Sequence, residues 1–230
     1  MTISESVKPL ISRLRSDRIT YLPDARLQSI IKCIDEVKAK CVPGNFAEFG
    51  LALGGSGILI ANQLDANRRF LGFDVFGMIP PPSDADGPDV HERYEIIRSG
   101  QSRGIGGTGT YYGYRDDLLA EVSEAFTRHG VAPDGERVLL HQGLFEDTIH
   151  LLGEEPVAFA HIDCDWYDPS LLCLDEVAAR MPEGGMMIVD DFQDWSGSRK
   201  ASLEFLLNNE QFIPVAVSPH LVIRHGKAAK

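Results

Sequence analysis

Six carboxylates fall where short apolar runs end: Glu48, Asp74, Asp163, Asp165, Asp190 and Asp191. The sharpest case is "MMIVDDF", in which two adjacent acids close a wholly apolar stretch. Crowded like charges raise each other's pKa. A hard divalent cation such as Mg²⁺ resolves that repulsion, because it takes carboxylate and water oxygens. Asp163 and Asp190 lie one strand–helix–strand unit apart. In neighbouring strands, Asp163, Asp190 and Asp191 would therefore converge as a metal-ligand set. Singly, each is as readily a helix cap or a solvated acid; it is the combination that points to a cation. Asp165, two residues past Asp163, projects to the same side if the strand continues. There it is placed to act as general base on an alcohol held at the cation. His161 and His141 read as core histidines, and Cys164 as pointing to the opposite face.

The glycine-rich stretch "EFGLALGGSG" joins a strand to a helix, which suits a nucleotide-like cofactor. Gly50, Gly54, Gly55 and Gly57 do not spell GxGxxG, and no Lys-Ser/Thr follows. The spacing therefore disfavours an NAD oxidoreductase and excludes a P-loop. Asp74 closes the next strand, where an acid can accept the ribose hydroxyls of an adenosine. These features leave room for S-adenosylmethionine.

The elements that must position these residues are legible from residue 45 onward. "FAEFG", "RRFLGFDVF", "RVLLHQG", "PVAFAHIDCDW" and "MMIVDD" read as strands, and helical patterns separate them. "FIPVAV" and "HLVIRH" read as a closing antiparallel pair. Such alternation indicates an α/β fold with a mostly parallel sheet covered on both faces. Residues 6–20 and 24–40 read as two helices that form an N-terminal layer (residues 1–44) over the core. Residues 77–115 break the rhythm with three consecutive prolines and a glycine-rich run. An insertion of that length reads as a mobile lid carrying Tyr111, Tyr112 and Tyr114 as contact aromatics. A floppy surface loop is the competing reading.

The chain has 230 residues and a formal net charge of -12, so one large domain is expected and nucleic acid or an anionic membrane is disfavoured as a partner. "MTISESVKPLISRLRS" lacks the apolar core of a secretory signal. No run approaches the roughly 18 apolar residues of a membrane helix. The four cysteines show no CxxC pair and read as reduced thiols of a cytoplasmic protein.

Over roughly residues 40–205 the sequence resembles the macrocin O-methyltransferase family, Mg²⁺-dependent sugar O-methyltransferases of natural-product pathways. The resemblance rests on "VPGNFAEFGLALGGSG", "FLGFDVFGMIPPP", "EVSEAFTRHGV…RVLLHQGLFEDTI", "HIDCDWYDPSLLCLDEVAARMPEGGMMIVDDF" and "SGSRKASLEFL", in that order. It implies a Rossmann-like class I methyltransferase fold with a seven-stranded sheet. It implies Asp163, Asp190 and Asp191 as metal ligands and Asp165 as general base. It implies S-adenosylmethionine held by Glu48, Gly50, Ala52 and Ser56 of the glycine-rich loop, by Asp74 and by Gly143. The acceptor it implies is the hydroxyl of a sugar on a secondary metabolite, as in antibiotic biosynthesis, and the N-terminal helices offer a surface for a homo-oligomer. The chain departs from the family pattern at Cys164, where Gly is usual, at His161, where Arg is usual, and at Leu144, where Trp is usual. It also has Leu-Ala-Leu at 51–53, where an aromatic and a basic residue are common. The alternatives are a methyltransferase-fold metal enzyme of other chemistry, such as a hydroxylase or hydrolase, and a non-catalytic binding subunit.

Overall fold

Wholly apolar runs bounded by turns are the signature of strands buried on both faces, and the computed structural model bears this out. It describes residues 7–226; residue 6 of the first expected helix and the opening residues of the stretch read as lacking a signal lie outside them. β1 (Asn45–Phe49), β2 (Phe70–Asp74), β4 (Val157–Ile162) and β5 (Met186–Val189) are buried at every position. β3 (Val138–Gln142) and β6 (Phe212–Ala216) are partly exposed, as edge strands must be, and β7 (Leu221–His225) lies between β6 and β5. The seven strands run in the order β3-β2-β1-β4-β5-β7-β6. β7 alone opposes the others, pairing antiparallel with both β5 and β6.

The alternation of side chains along the strands divides the core into two layers. Phe46, Phe70 and Phe159 face α1 (Lys8–Ser16), α2 (Asp24–Ala39), α3 (Gly55–Ala61) and α5 (Leu118–Arg128). Ala47, Phe49, Leu71 and Phe73 face α6 (Phe145–Thr148), α7 (Tyr167–Ala178) and α8 (Ser196–Asn208). α2 buries Leu27, Ile30, Ile31, Ile34 and Val37 along one stripe, as the helical spacing predicts.

The chain builds outward from β1 to β2 and β3, then crosses to β4 on β1's other side. The strand order reverses there, and the crevice beyond the carboxyl ends of β1 and β4 is where such sheets bind ligands.

Residues 77–115 hold a helix that the sequence reading did not anticipate, α4 (Pro88–Arg98). Only Val90 and Ile97 are buried along it, too few to register as a periodic apolar stripe. Two acids fasten the segment. Asp86 accepts from the Tyr167 N–H at the start of α7 (2.8 Å), and Asp89 accepts from the Ser196 N–H at the start of α8 (2.9 Å). These are the unsatisfied donors of a helix N-terminus. The Trp166 indole donates to the Pro80 carbonyl at 3.0 Å. Arg18 donates to the Ile105 carbonyl and the Thr108 hydroxyl, both at 2.6 Å.

Candidate active site

Gly50 follows β1 at the crevice, with φ +90. Its N–H donates to the Phe73 carbonyl at 2.9 Å, and the Asp163 N–H donates to the Phe49 carbonyl at 2.8 Å, so Gly50 lies against the end of β4. A Cβ at residue 50 would meet the Asp163 carbonyl oxygen at 2.0 Å. Both the backbone angle and the contact require glycine. Gly50→Ala is accordingly expected to cost about 1–3 kcal/mol. That corresponds to a fall in melting temperature of several degrees, measurable by calorimetry.

Asp74 pins the glycine-rich turn. Its Oδ2 accepts from the N–H groups of Leu51 (2.7 Å) and Ala52 (3.0 Å), and its Oδ1 accepts from that of Phe76 (2.6 Å). Burial raises its pKa, and those three donors work in the opposite direction. A carboxylate offers about four acceptor directions, so one remains for a ligand hydroxyl. Among the described residues, three of the five non-glycine residues with positive φ, Ala52, Phe76 and Asp165, flank this crevice. Such strained backbone clusters at functional sites.

Two cavities meet at the crevice. The larger, about 390 Å³, is lined by Pro80, Gly143, Phe145 and Leu172 among others. The smaller, about 220 Å³, is lined by Tyr21, Arg26, Arg93, Tyr111 and Trp195, with Asp190 and Asp191. Gly50, Asp74, Tyr112, Asp163, Asp165 and Trp166 line both and form the wall they share. Of the residues assigned to a cofactor from sequence, Gly50, Ala52, Asp74 and Gly143 line these cavities. Glu48 and Ser56 line neither. Glu48 is fully buried, its Oε1 accepting a hydrogen bond from His161 Nδ1 at 2.8 Å.

The acids behave as three kinds. Asp163, Asp190 and Asp191 each bring an oxygen to within 4.8 Å of the others, so the structure gathers the expected trio. Burial, and then the charges of Asp191, Asp190 and Asp165, push Asp163 well above the usual carboxylate range. Burial and the charges of Asp165 and Asp190 do the same to Asp191. Asp190 is held below that range. Burial opposes this, but hydrogen bonds from His161 and His220 and the charges of His161 and Arg26 outweigh it. Asp165 is pushed up to about 6 by burial, with the Trp195 hydrogen bond and the Arg93 charge working the other way.

Asp165 reaches the site by a route different from the one its spacing implied. β4 ends at Ile162, so no strand carries Asp165 to the face of Asp163. The chain instead kinks, placing Asp165 at φ +59 with its N–H donating to Asp191 Oδ2 at 3.0 Å. Asp is among the few non-glycine residues that tolerate that region. His161 is the buried, hydrogen-bonded histidine expected, and its partners are carboxylates at both ring nitrogens: Glu48 at Nδ1 and Asp190 at Nε2. Cys164 packs away from the acids, its Sγ 3.8 Å from that of Cys173. Sequence reasoning also missed Arg26, whose Nη1 donates to Asp190 Oδ2 at 2.5 Å. α2 is thus more than a packing layer. Arg93 and Trp195 were missed as well; only the position of Trp195 shortly after "VDD" could have signalled it.

Residues 16–104 and 109–216 match the Macrocin-O-methyltransferase (TylF) family. The chain belongs to this family. It is 29% identical over 171 residues to the 8-demethyl-8-(2,3-dimethoxy-alpha-L-rhamnosyl)-tetracenomycin-C 4'-O-methyltransferase of Streptomyces olivaceus, covering 73% of this chain and 60% of that protein. It is 27% identical over 182 residues to the mycinamicin III 3''-O-methyltransferase of Micromonospora griseorubida, covering 75% of this chain and 65% of that protein. The matched region thus spans less than two thirds of those relatives' length. Among solved structures, the O-methyltransferase NovP superposes with a TM-score of 0.72 at 21% identity, covering 88% of this chain and 80% of that one. The calicheamicin methyltransferase CalS11 superposes with a TM-score of 0.63 at 18% identity, covering 97% of this chain and 94% of that one. These likenesses establish the fold of this chain as that of a class I methyltransferase, with a Rossmann-like, mostly parallel sheet. No described helix is long and apolar enough to cross a membrane.

Proposed function

We propose that this protein is a divalent-cation-dependent O-methyltransferase that methylates a sugar hydroxyl on a small molecule of antibiotic biosynthesis. The observation that carries the reading is the shared wall. Asp163 and Asp165 face a larger cavity on one side and a smaller, aromatic one on the other. The larger cavity falls within the range of small-molecule sites. Relatives in the family are named for methylating sugar-bearing natural products.

The residues fit both expected groups. Gly50, which lines both cavities, and the remaining acceptor direction on Asp74 suit the ribose end of S-adenosylmethionine. The all-oxygen set of Asp163, Asp190 and Asp191 suits Mg²⁺. When bound, the sulfonium supplies an activated methyl group, and the cation supplies Lewis acidity that makes an alcohol easier to deprotonate. Asp165 accepts the proton at its carboxylate. A base with a pKa of about 6 is ionised at neutral pH and still basic enough to act there. Tyr112 and Trp166 line both cavities and shield the transfer path from water. Where the two cavities meet, donor and acceptor can be held in direct contact, which is the orientation that such a displacement needs.

The test is incubation with S-adenosylmethionine, Mg²⁺ and a panel of glycosylated polyketides and nucleotide sugars, read by mass spectrometry. A methylated product that disappears with EDTA and returns with added Mg²⁺ is expected. Methylation that survives rigorous chelation would remove the cation, and failure to bind S-adenosylmethionine in calorimetry would remove the activity.

A further inference from the structure

The three acids of the candidate cation site have unequal surroundings. Asp190 has both oxygens engaged by basic side chains: Oδ1 by His161 Nε2 (3.4 Å) and His220 Nδ1 (3.0 Å), and Oδ2 by Arg26 Nη1 (2.5 Å). Among the described residues no basic side chain pairs with Asp163 or Asp191, and Asp163 has the acids Asp190 and Asp191 as its neighbours. The basic side chains of the site therefore converge on one acid of the three.

Behind Asp190 the contacts continue. His161 is fully buried and takes Glu48 Oε1 at its other nitrogen, 2.8 Å away. His220 is also fully buried, and its Nε2 has no hydrogen-bond partner. The four side chains come from four places: Glu48 from β1, His161 from β4, Asp190 from the end of β5 and His220 from the turn into β7. A buried carboxylate–histidine chain that ends on a candidate metal ligand is the arrangement by which outer groups orient such ligands.

We propose that Glu48, His161 and His220 are positioning residues that lock the Asp190 carboxylate, so that Asp190 acts as the fixed frame against which the Asp163–Asp191 pair closes on the cation. This inference rests on the cation reading above and adds a division of labour within it. Asp163 and Asp191 form no ion pair with a basic side chain among the described residues and leave their oxygens for the ion, while Asp190 is anchored by hydrogen bonds from His161 of β4, Arg26 of α2 and His220 of the turn into β7. The chain also gives Glu48 a purpose that does not involve the cofactor.

The test is Mn²⁺ binding, followed by calorimetry and by the loss of the free-ion electron paramagnetic resonance signal. His220→Leu removes the Nδ1 donor, and His220→Asn keeps a donor near that position. His161→Gln keeps a donor toward Asp190 while breaking the link to Glu48. His220→Leu is expected to weaken Mn²⁺ binding by about 10- to 100-fold, the usual cost of losing an outer-shell partner. S-adenosylmethionine affinity should be unchanged, and His220→Asn should restore most of the Mn²⁺ affinity. In turnover assays kcat should fall at unchanged KM for S-adenosylmethionine. Should His220→Leu fail to fold, His161→Gln decides the matter by the same measurements, with a smaller expected loss because its donor toward Asp190 remains and only the link to Glu48 is broken. Folded variants that bind Mn²⁺ like the wild type would overturn the positioning role and leave the cation reading intact. A wild-type protein that binds no Mn²⁺ would overturn both.

Discussion

Asp165→Asn is expected to lower turnover by about 10²- to 10⁴-fold, the range for losing a general base. The substitution is close to isosteric, and Asn tolerates the φ of +59 at this position at least as well as Asp does. The N–H of residue 165 still donates to Asp191 Oδ2, and the Trp195 indole still has an oxygen to meet. Affinity for S-adenosylmethionine should stay within a few-fold, as calorimetry would show. The pH profile gives a second readout. A base must be ionised to act, so the wild-type rate should rise with pH through the titration of Asp165, which burial sets at about 6. A bound cation draws that value down, so the rise should lie at or below about pH 6. In the variant this limb should vanish. A variant that keeps the limb, or keeps the rate, would remove Asp165 as the base.

Asp163→Asn should produce two effects of opposite sign. Without metal, the folded protein holds Asp163 and Asp191 together in a buried site, each destabilised by its acidic neighbours. Replacing this acid with an amide removes the cost of burying it beside its acidic neighbours and adds a donor toward Asp191. The metal-free variant should therefore melt higher than the metal-free wild type. A gain of about 1 kcal/mol corresponds to roughly 2–4 °C for a domain of this size. With Mg²⁺ the order should reverse. A ligand that binds only the native state stabilises it by about 2.7 kcal/mol at a hundredfold excess over Kd. The wild type should show that rise, and the variant should show neither the rise nor turnover. Identical melting of the two proteins with and without Mg²⁺ would mean that the acids do not hold an ion.

Local pattern revealed much of the architecture. The apolar runs at β1, β2, β4 and β5 and the spacing of Leu27, Ile30, Ile31 and Ile34 on α2 announced their elements. The acids were legible because chains of this topology gather strand ends at one edge. Arg26 was not legible, because it lies far from Asp190 in sequence and nothing local marks a residue that reaches across the fold. Asp165 was found by an argument from strand continuity that fails, since the strand stops at Ile162 and a left-handed kink does the work. The family resemblance implied Glu48 as a cofactor residue, yet its side chain meets His161 and lines neither cavity. The histidines at 161 and 220 look ordinary in sequence, and only the convergence of β4 with the turn into β7 brings them onto one oxygen.

The fastening of residues 77–115 by Asp86 and Asp89 bears on how acceptor preference can be re-engineered. Arg93, Ile97, Tyr111 and Tyr112 all come from this single inserted stretch, so transplanting it from a relative would swap four of one chamber's lining residues in a single step. The transplant would seat only if it carried an acid for each of the two docking points, the N–H groups of Tyr167 and Ser196, because both belong to the recipient scaffold. Exchange of the stretch is therefore modular in sequence but keyed at two points in space.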